Sequence, residues 1–156
     1  MFKIVEESDF QYFVEPTEEY YKEYSDKFIK EICPKYSYGH LNKICFCRIY
    51  YDIDSDVLHL SHFNNYIREY YTKNKNKFKD SIFKGLGVRM LKTILINLIK
   101  SGLSNNTKIL LDMVDMRNKK LIDFYKNLSF CLVDEDNFYS NINNVLEKLI
   151  NIQPIK

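Results

Sequence analysis

With 156 residues, 46% apolar and 28% charged, the chain is long enough for one domain with its own core, and a disordered or fibrous class is excluded. A formal charge of +2 is too near balance to point to nucleic acid. No stretch is long and apolar enough to span a bilayer and the first residues lack a signal-peptide pattern, so a cytoplasmic protein without a membrane partner is expected.

In chain order, Phe2 to Glu6 reads as a first strand. Thr17 is a candidate N-cap for a helix carrying Tyr21, Tyr24, Phe28 and Ile32, which Pro34 ends near Cys33. Lys35 to Asn42 reads as loop. Ile44 to Tyr51 and Val57 to Phe63 are strand candidates around the turn Asp52-Ile53-Asp54-Ser55-Asp56. Asn64-Asn65 is a candidate hairpin turn, because Asn tolerates positive φ, and Tyr66 to Thr72 would be the partner strand. The run Lys73 to Lys79 reads as a basic, solvated loop.

Gly85-Leu86-Gly87 then opens a helix whose apolar positions Val88, Leu91, Leu95 and Leu98 fall on one face, with Lys100 in the last turn and Gly102 as the stop. A glycine turn feeding a helix N-terminus presents unpaired N–H groups at the positive end of the dipole, which suits phosphate. Taken alone, Gly-x-Gly reads rather as a tight turn that packs a helix on a sheet. Neither a P-loop nor a dinucleotide fingerprint fits, since lysine precedes the glycine and Met90 stands where a third small residue is needed.

Lys108 to Val114 is a compact apolar strand, and Asn118 can cap a helix with Leu121, Ile122, Tyr125 and Leu128 inward, ended by Ser129-Phe130. Phe130 to Val133 and Asn137 to Ile142 are weaker strands, and Val145 to Ile152 is helix-like before Pro154. Cys33, Cys45, Cys47 and Cys131 form neither a disulfide framework nor a zinc pattern, so no metal is expected and the thiols read as small buried apolar groups.

The order of these elements resembles the GNAT superfamily of N-acetyltransferases. Two signatures carry the likeness. Lys84-Gly85-Leu86-Gly87-Val88-Arg89 looks like that family's pyrophosphate loop. Val114-Asp115-Met116-Arg117-Asn118 followed by Leu121 to Phe130 looks like its second motif, a strand end leading through Asn to a helix carrying Tyr. Ile82 stands where the family usually has Arg or Gln, and Ser129 where it has Gly. The likeness is good from Lys84 to Phe130 and topological before that.

The resemblance implies one domain over residues 1–156 of α+β class: three α/β/α layers around a mixed, largely antiparallel sheet that splays between its fourth and fifth strands, Tyr66–Thr72 and Lys108–Val114. It implies acetyl-CoA as acyl donor, with Tyr71, Thr72 and Lys73 along the pantetheine arm. Phe83, Lys84, Gly85, Leu86, Gly87, Val88 and Arg89 would lie at the diphosphate, with Asn118 and Tyr125 beside the thiol end. The implied activity is direct acetyl transfer to a primary amine, from a small molecule or a protein. A catalytically silent CoA-binding or regulatory module is the alternative, and monomer and homodimer both stay open. Tyr125 matches the family's acid, although a core tyrosine on an apolar stripe has the same spacing. Glu69 is the first candidate base and equally an exposed strand residue; His59 and His62 are the fallbacks, and an acyl-enzyme on Cys45 or Cys47 is the less favoured route.

Overall fold

Alternating apolar and polar side chains build a sheet with two unlike faces. A computed structural model describes residues 2–7, 10–17, 45–65, 85–112 and 114–155. The helix expected after Thr17, the loop at Lys35 to Asn42, the strand at Tyr66 to Thr72 and the basic loop at Lys73 to Lys79 lie outside these residues.

The strands are β1 (Phe2–Glu7), β2 (Gln11–Pro16), β3 (Cys45–Asp52), β4 (Val57–Asn65), β5 (Lys108–Leu111), β6 (Cys131–Leu132) and β7 (Phe138–Asn141). The helices are α1 (Leu86–Lys100), α2 (Lys119–Asn127) and α3 (Ile142–Lys148). Together the described strands form a seven-stranded mixed sheet in the order β1-β2-β3-β4-β5-β7-β6, so the class is α+β. Only β4 and β5 run parallel. Parallel neighbours need a crossover, and α1 lies in that connection.

Cross-strand partners share a face. Val14, Cys45, Cys47, Ile49, Leu58, Leu60, Ile109, Leu111 and Phe138 are all buried on one side, where the helices pack. The other side carries Phe13, Phe46, Arg48, Tyr50, His59, His62, Lys108, Leu110 and Tyr139, a polar and aromatic row. Phe13 stacks on Phe46 there, with centroids 5.0 Å apart.

α1 buries Leu86, Gly87, Met90, Leu91, Ile94 and Leu95 and leaves Val88 and Leu98 at the margin of the core. The buried stripe is thus rotated a little from the one its sequence suggests. Its end is a Schellman turn: Gly102, at φ 107, lets Leu103 N donate to Leu98 O and Gly102 N to Ile99 O. α2 ends in the same motif, with Phe130 N donating to Tyr125 O and Ser129 N to Lys126 O. Ser129 takes the left-handed position there, at φ 72, which explains why glycine suits this place.

Several expectations are corrected. Asn64 and Asn65 form no turn but continue β4, opposite Phe46 and Cys45. β2 was not foreseen; it forms a hairpin with β1 beside a turn in which Phe10 takes φ 62. The last helix starts at Ile142, because Asn141 caps it by accepting from Asn144 N at 2.8 Å. Cys131 is exposed rather than buried, since the short edge strand β6 turns both its residues outward.

The C-terminal segment is clamped onto α1. Lys92 Nζ donates to the carbonyls of Leu149, Ile150 and Ile152 at 2.8, 3.1 and 2.8 Å, Arg89 Nε to Gln153 O at 2.9 Å. Ile155 N donates to Thr93 Oγ1 at 2.8 Å. These bonds satisfy carbonyls of the cap and of the segment that follows α3.

Candidate functional site between strands four and five

β4 and β5 stay in register for four residues, from Val57 opposite Lys108 to Leu60 opposite Leu111. β5 then ends, while β4 runs on to Asn65 with no partner from β5. At the same level the β3–β4 ladder slips: Arg48 faces His62 and Ile49 faces Leu60, so Ser61 is an extra residue on β4. A bulge increases local twist and bends the strand that carries it. Here it falls where the β4–β5 pairing stops, so that β4 beyond Leu60 has no partner on β5. The strand beside β5 is therefore Val57–Asn65, not Tyr66–Thr72 as expected.

The short link Ser101–Thr107 returns the end of α1 to the start of β5. α1 thus runs back against the parallel pair, and its N-terminus faces the carboxyl ends of β4 and β5, the usual ligand side of such a unit. Gly85 caps it at φ 72, with no side-chain cap and no acidic residue in the first turn. The first intrahelical bond runs from Arg89 N to Gly85 O, so the amides of Leu86, Gly87 and Val88 precede the ladder.

On the helix side of the sheet, α2 brings Phe124 over Phe63, with rings 6.2 Å apart and 14° from parallel. Tyr125 meets Phe124 and Phe130 edge-on at 5.3 and 5.8 Å. Its side chain is buried, yet its hydroxyl has no hydrogen-bond partner among the described residues. Burial, with the nearby Cys47 sulfur, pushes its pKa from 10.0 to about 12. At neutral pH it is a protonated donor.

On the opposite side, His59 stands near the end of the β4–β5 ladder. Its ring lies 4.8 Å from that of Tyr50 and 5° from parallel, and Nδ1 is 3.2 Å from Oδ2 of Asp112, the residue just after β5. The dyad is partly covered, the two side chains being 18% and 31% exposed. Asp52 lies near it; the Ser55 hydroxyl and the Asp54 amide, with His59, hold the Asp52 carboxyl below its ordinary range. Asp112 was not singled out from the sequence. Its only local signal is a carboxylate directly after an apolar strand, and its partner is 53 positions away.

The remaining site residues divide clearly. Glu69, Tyr71, Thr72, Lys73, Phe83 and Lys84 lie outside the described residues. Arg89 is engaged with Gln153 O and Asn118 caps α2 by accepting from Leu121 N at 3.1 Å, so both side chains have structural roles. His62 is exposed, 6.2 Å from the Phe46 ring. Cys45 and Cys47 are fully buried, and burial pushes the Cys45 thiol from 9.0 to about 12 and raises that of Cys47 as well. Buried thiols held protonated are poor nucleophiles, which counts against an acyl-enzyme.

No family model, no curated protein and no solved structure matches this chain. Among the described residues no helix is long and apolar enough to cross a membrane, and no three His, Cys, Asp or Glu side chains are grouped to hold a metal ion.

Proposed function

We propose that the chain is an N-acetyltransferase of GNAT-like, three-layer fold that moves an acetyl group from acetyl-CoA directly to a primary amine. The observation that supports this reading is the end of the parallel β4–β5 pairing at Leu60 and Leu111, next to the bulge at Ser61 and on the side that the N-terminus of α1 faces. The exposed edge of β4 beyond Leu60 offers main-chain groups to an extended pantetheine arm, in the manner of strand addition. Its amides are also fixed donors for the oxyanion that forms at the thioester carbonyl. The amides of Leu86, Gly87 and Val88, which precede the helical ladder, suit a diphosphate without needing a side chain from Ile82.

In this scheme Tyr125 sits on the thiol side. A phenol at about 12 is a weaker acid than a thiol, whose ordinary pKa is ~8.5. It therefore stabilises the departing thiolate by donating a hydrogen bond, and solvent supplies the proton.

A second reading, a CoA-binding module without turnover, draws support from Arg89 and Asn118, which are committed to packing and capping. Thermal melts with acetyl-CoA test both. Ligand at ~100 times its Kd is expected to add ~2.7 kcal/mol, and acetyl-pantetheine, which lacks the diphosphate, much less. Thiol release across an amine panel then separates the enzyme from the module. No shift with any acyl-CoA removes both readings.

A further inference from the structure

Resting on the acyl-transfer reading, we infer that His59, oriented by Asp112, is the base that takes the proton from the acceptor ammonium. The acceptor then approaches from the sheet face opposite α1, α2 and α3. The imidazole is held on two sides, by the Tyr50 ring at 4.8 Å and the Asp112 carboxylate at 3.2 Å. A carboxylate only accepts, so it keeps the proton on Nδ1 and leaves the Nε2 lone pair unprotonated. Nε2 has no partner among the described residues.

Position decides the role. His59 is one residue before the last β4 residue paired with β5, and Asp112 is the first residue past β5, so the dyad sits at the end of the β4–β5 ladder. Phe63, Phe124 and Tyr125 lie on the other side of the sheet. Amine and thiolate are the entering and leaving groups at one carbonyl carbon, and the two sides of the sheet keep them apart.

The surroundings also select the acceptor. The Asp112 and Asp52 carboxylates and the face of Tyr50 favour a cation at this place. Arg48 on β3 and His62 on β4 face the same side farther along the β3–β4 ladder, and Lys108 and Tyr139 face it toward the start of β5. A cationic alkylamine is thus the acceptor class, rather than a neutral arylamine.

The step balances. His59 Nε2 takes one proton from R–NH3+, the amine lone pair forms the C–N bond, and the C–S bond breaks with its pair going to sulfur. The nitrogen of the tetrahedral adduct gives its second proton to solvent, the thiolate leaves hydrogen-bonded to Tyr125, and the imidazolium returns its proton to solvent while solvent protonates the thiolate.

Two measurements on the full chain test this. The first needs no activity: nitrogen NMR of the His59 ring, with His59→Gln for assignment. The Nδ1–H tautomer is expected, lost on Asp112→Asn; an Nε2–H tautomer in the wild type overturns the dyad. The second follows thiol release from acetyl-CoA with 1,4-diaminobutane or aniline as acceptor. The diamine is expected to react and aniline is not, with kcat/KM rising with pH through a limb that depends on His59. His59→Gln should lower kcat by ~10²-fold or more while the acetyl-CoA melting shift stays, and imidazole should restore part of the rate to His59→Ala. Wild-type turnover in His59→Gln, an unchanged limb, or acetyl-CoA binding without diamine-dependent thiol release overturns the inference alone. Absence of any acetyl-CoA melting shift removes the transferase reading beneath it, and the inference with it.

Discussion

The two faces of the sheet are made from the same strands and obey different rules. On the helix face, Ile49, Leu58, Ile109, Leu111 and Phe138 are almost fully buried, and each is a packing unit whose neighbours cannot relax far. On the other face, Tyr50, His59 and Asp112 are only partly covered and are held by a stacked ring and one polar contact. The first face supplies stability. The second tolerates polar groups because water still reaches them, and that tolerance lets His59 and Asp112 persist there in contact. Functional chemistry is therefore expected where packing is loose, next to a bulge that the packed face holds in place.

The largest effect that can break this comparison comes from neighbouring residues of β7. Phe138→Ala empties a fully buried site and should cost ~3–5 kcal/mol in urea unfolding. Tyr139→Ala, on the other face and 38% exposed, should cost only about 0.5 kcal/mol. Equal losses mean that the second face is as tightly packed as the first.

Alkaline pH sharpens the comparison next. The folded state holds the Cys45 and Tyr125 protons more tightly than the unfolded chain, at about 12 against 9.0 and 10.0. Their contribution is full below those ordinary values and is lost as pH rises through about 12. Stability should therefore fall from about pH 9 upward, by up to ~1.4 kcal/mol per pH unit for each group. Cys45→Ala should flatten the first part of that decline; a decline unchanged by it places the titration elsewhere.

A smaller effect concerns how the helix layer is tied. Lys92→Met removes the ammonium shared by three carbonyls and should cost about 2 kcal/mol, with faster amide exchange from Leu149 to Ile155. If exchange there is unchanged, the segment is held by Ile155 packing alone. The smallest effect has the opposite sign. Ser129→Gly relieves a left-handed serine and should stabilise by about 1 kcal/mol, leaving Tyr125 in place.

Periodicity and turn chemistry made much of this structure legible from the sequence. The apolar rhythm after Gly85 located α1 almost to the residue, and Asn118 and Gly102 marked a start and a stop. These signals are local: a cap or a stripe is decided by residues within a turn of one another. The strand boundaries around Asn64-Asn65 were misread because Asn suits both a turn and a strand end. The β3 partners that hold these two residues in β4 are distant in the chain.

By itself, then, the sequence determined α1 and α2, the cap at Asn118, the stop at Gly102 and the apolar rows of the central strands, because helix and strand periods are short-range properties. Only the tertiary structure decided which strand lies beside β5, that Ser61 is the bulged residue, and that His59 meets Asp112. Those facts depend on register between segments remote in sequence. A slip of one residue would send His59 into the core and Leu58 and Leu60 into solvent, and the burial of that apolar face is what forbids it.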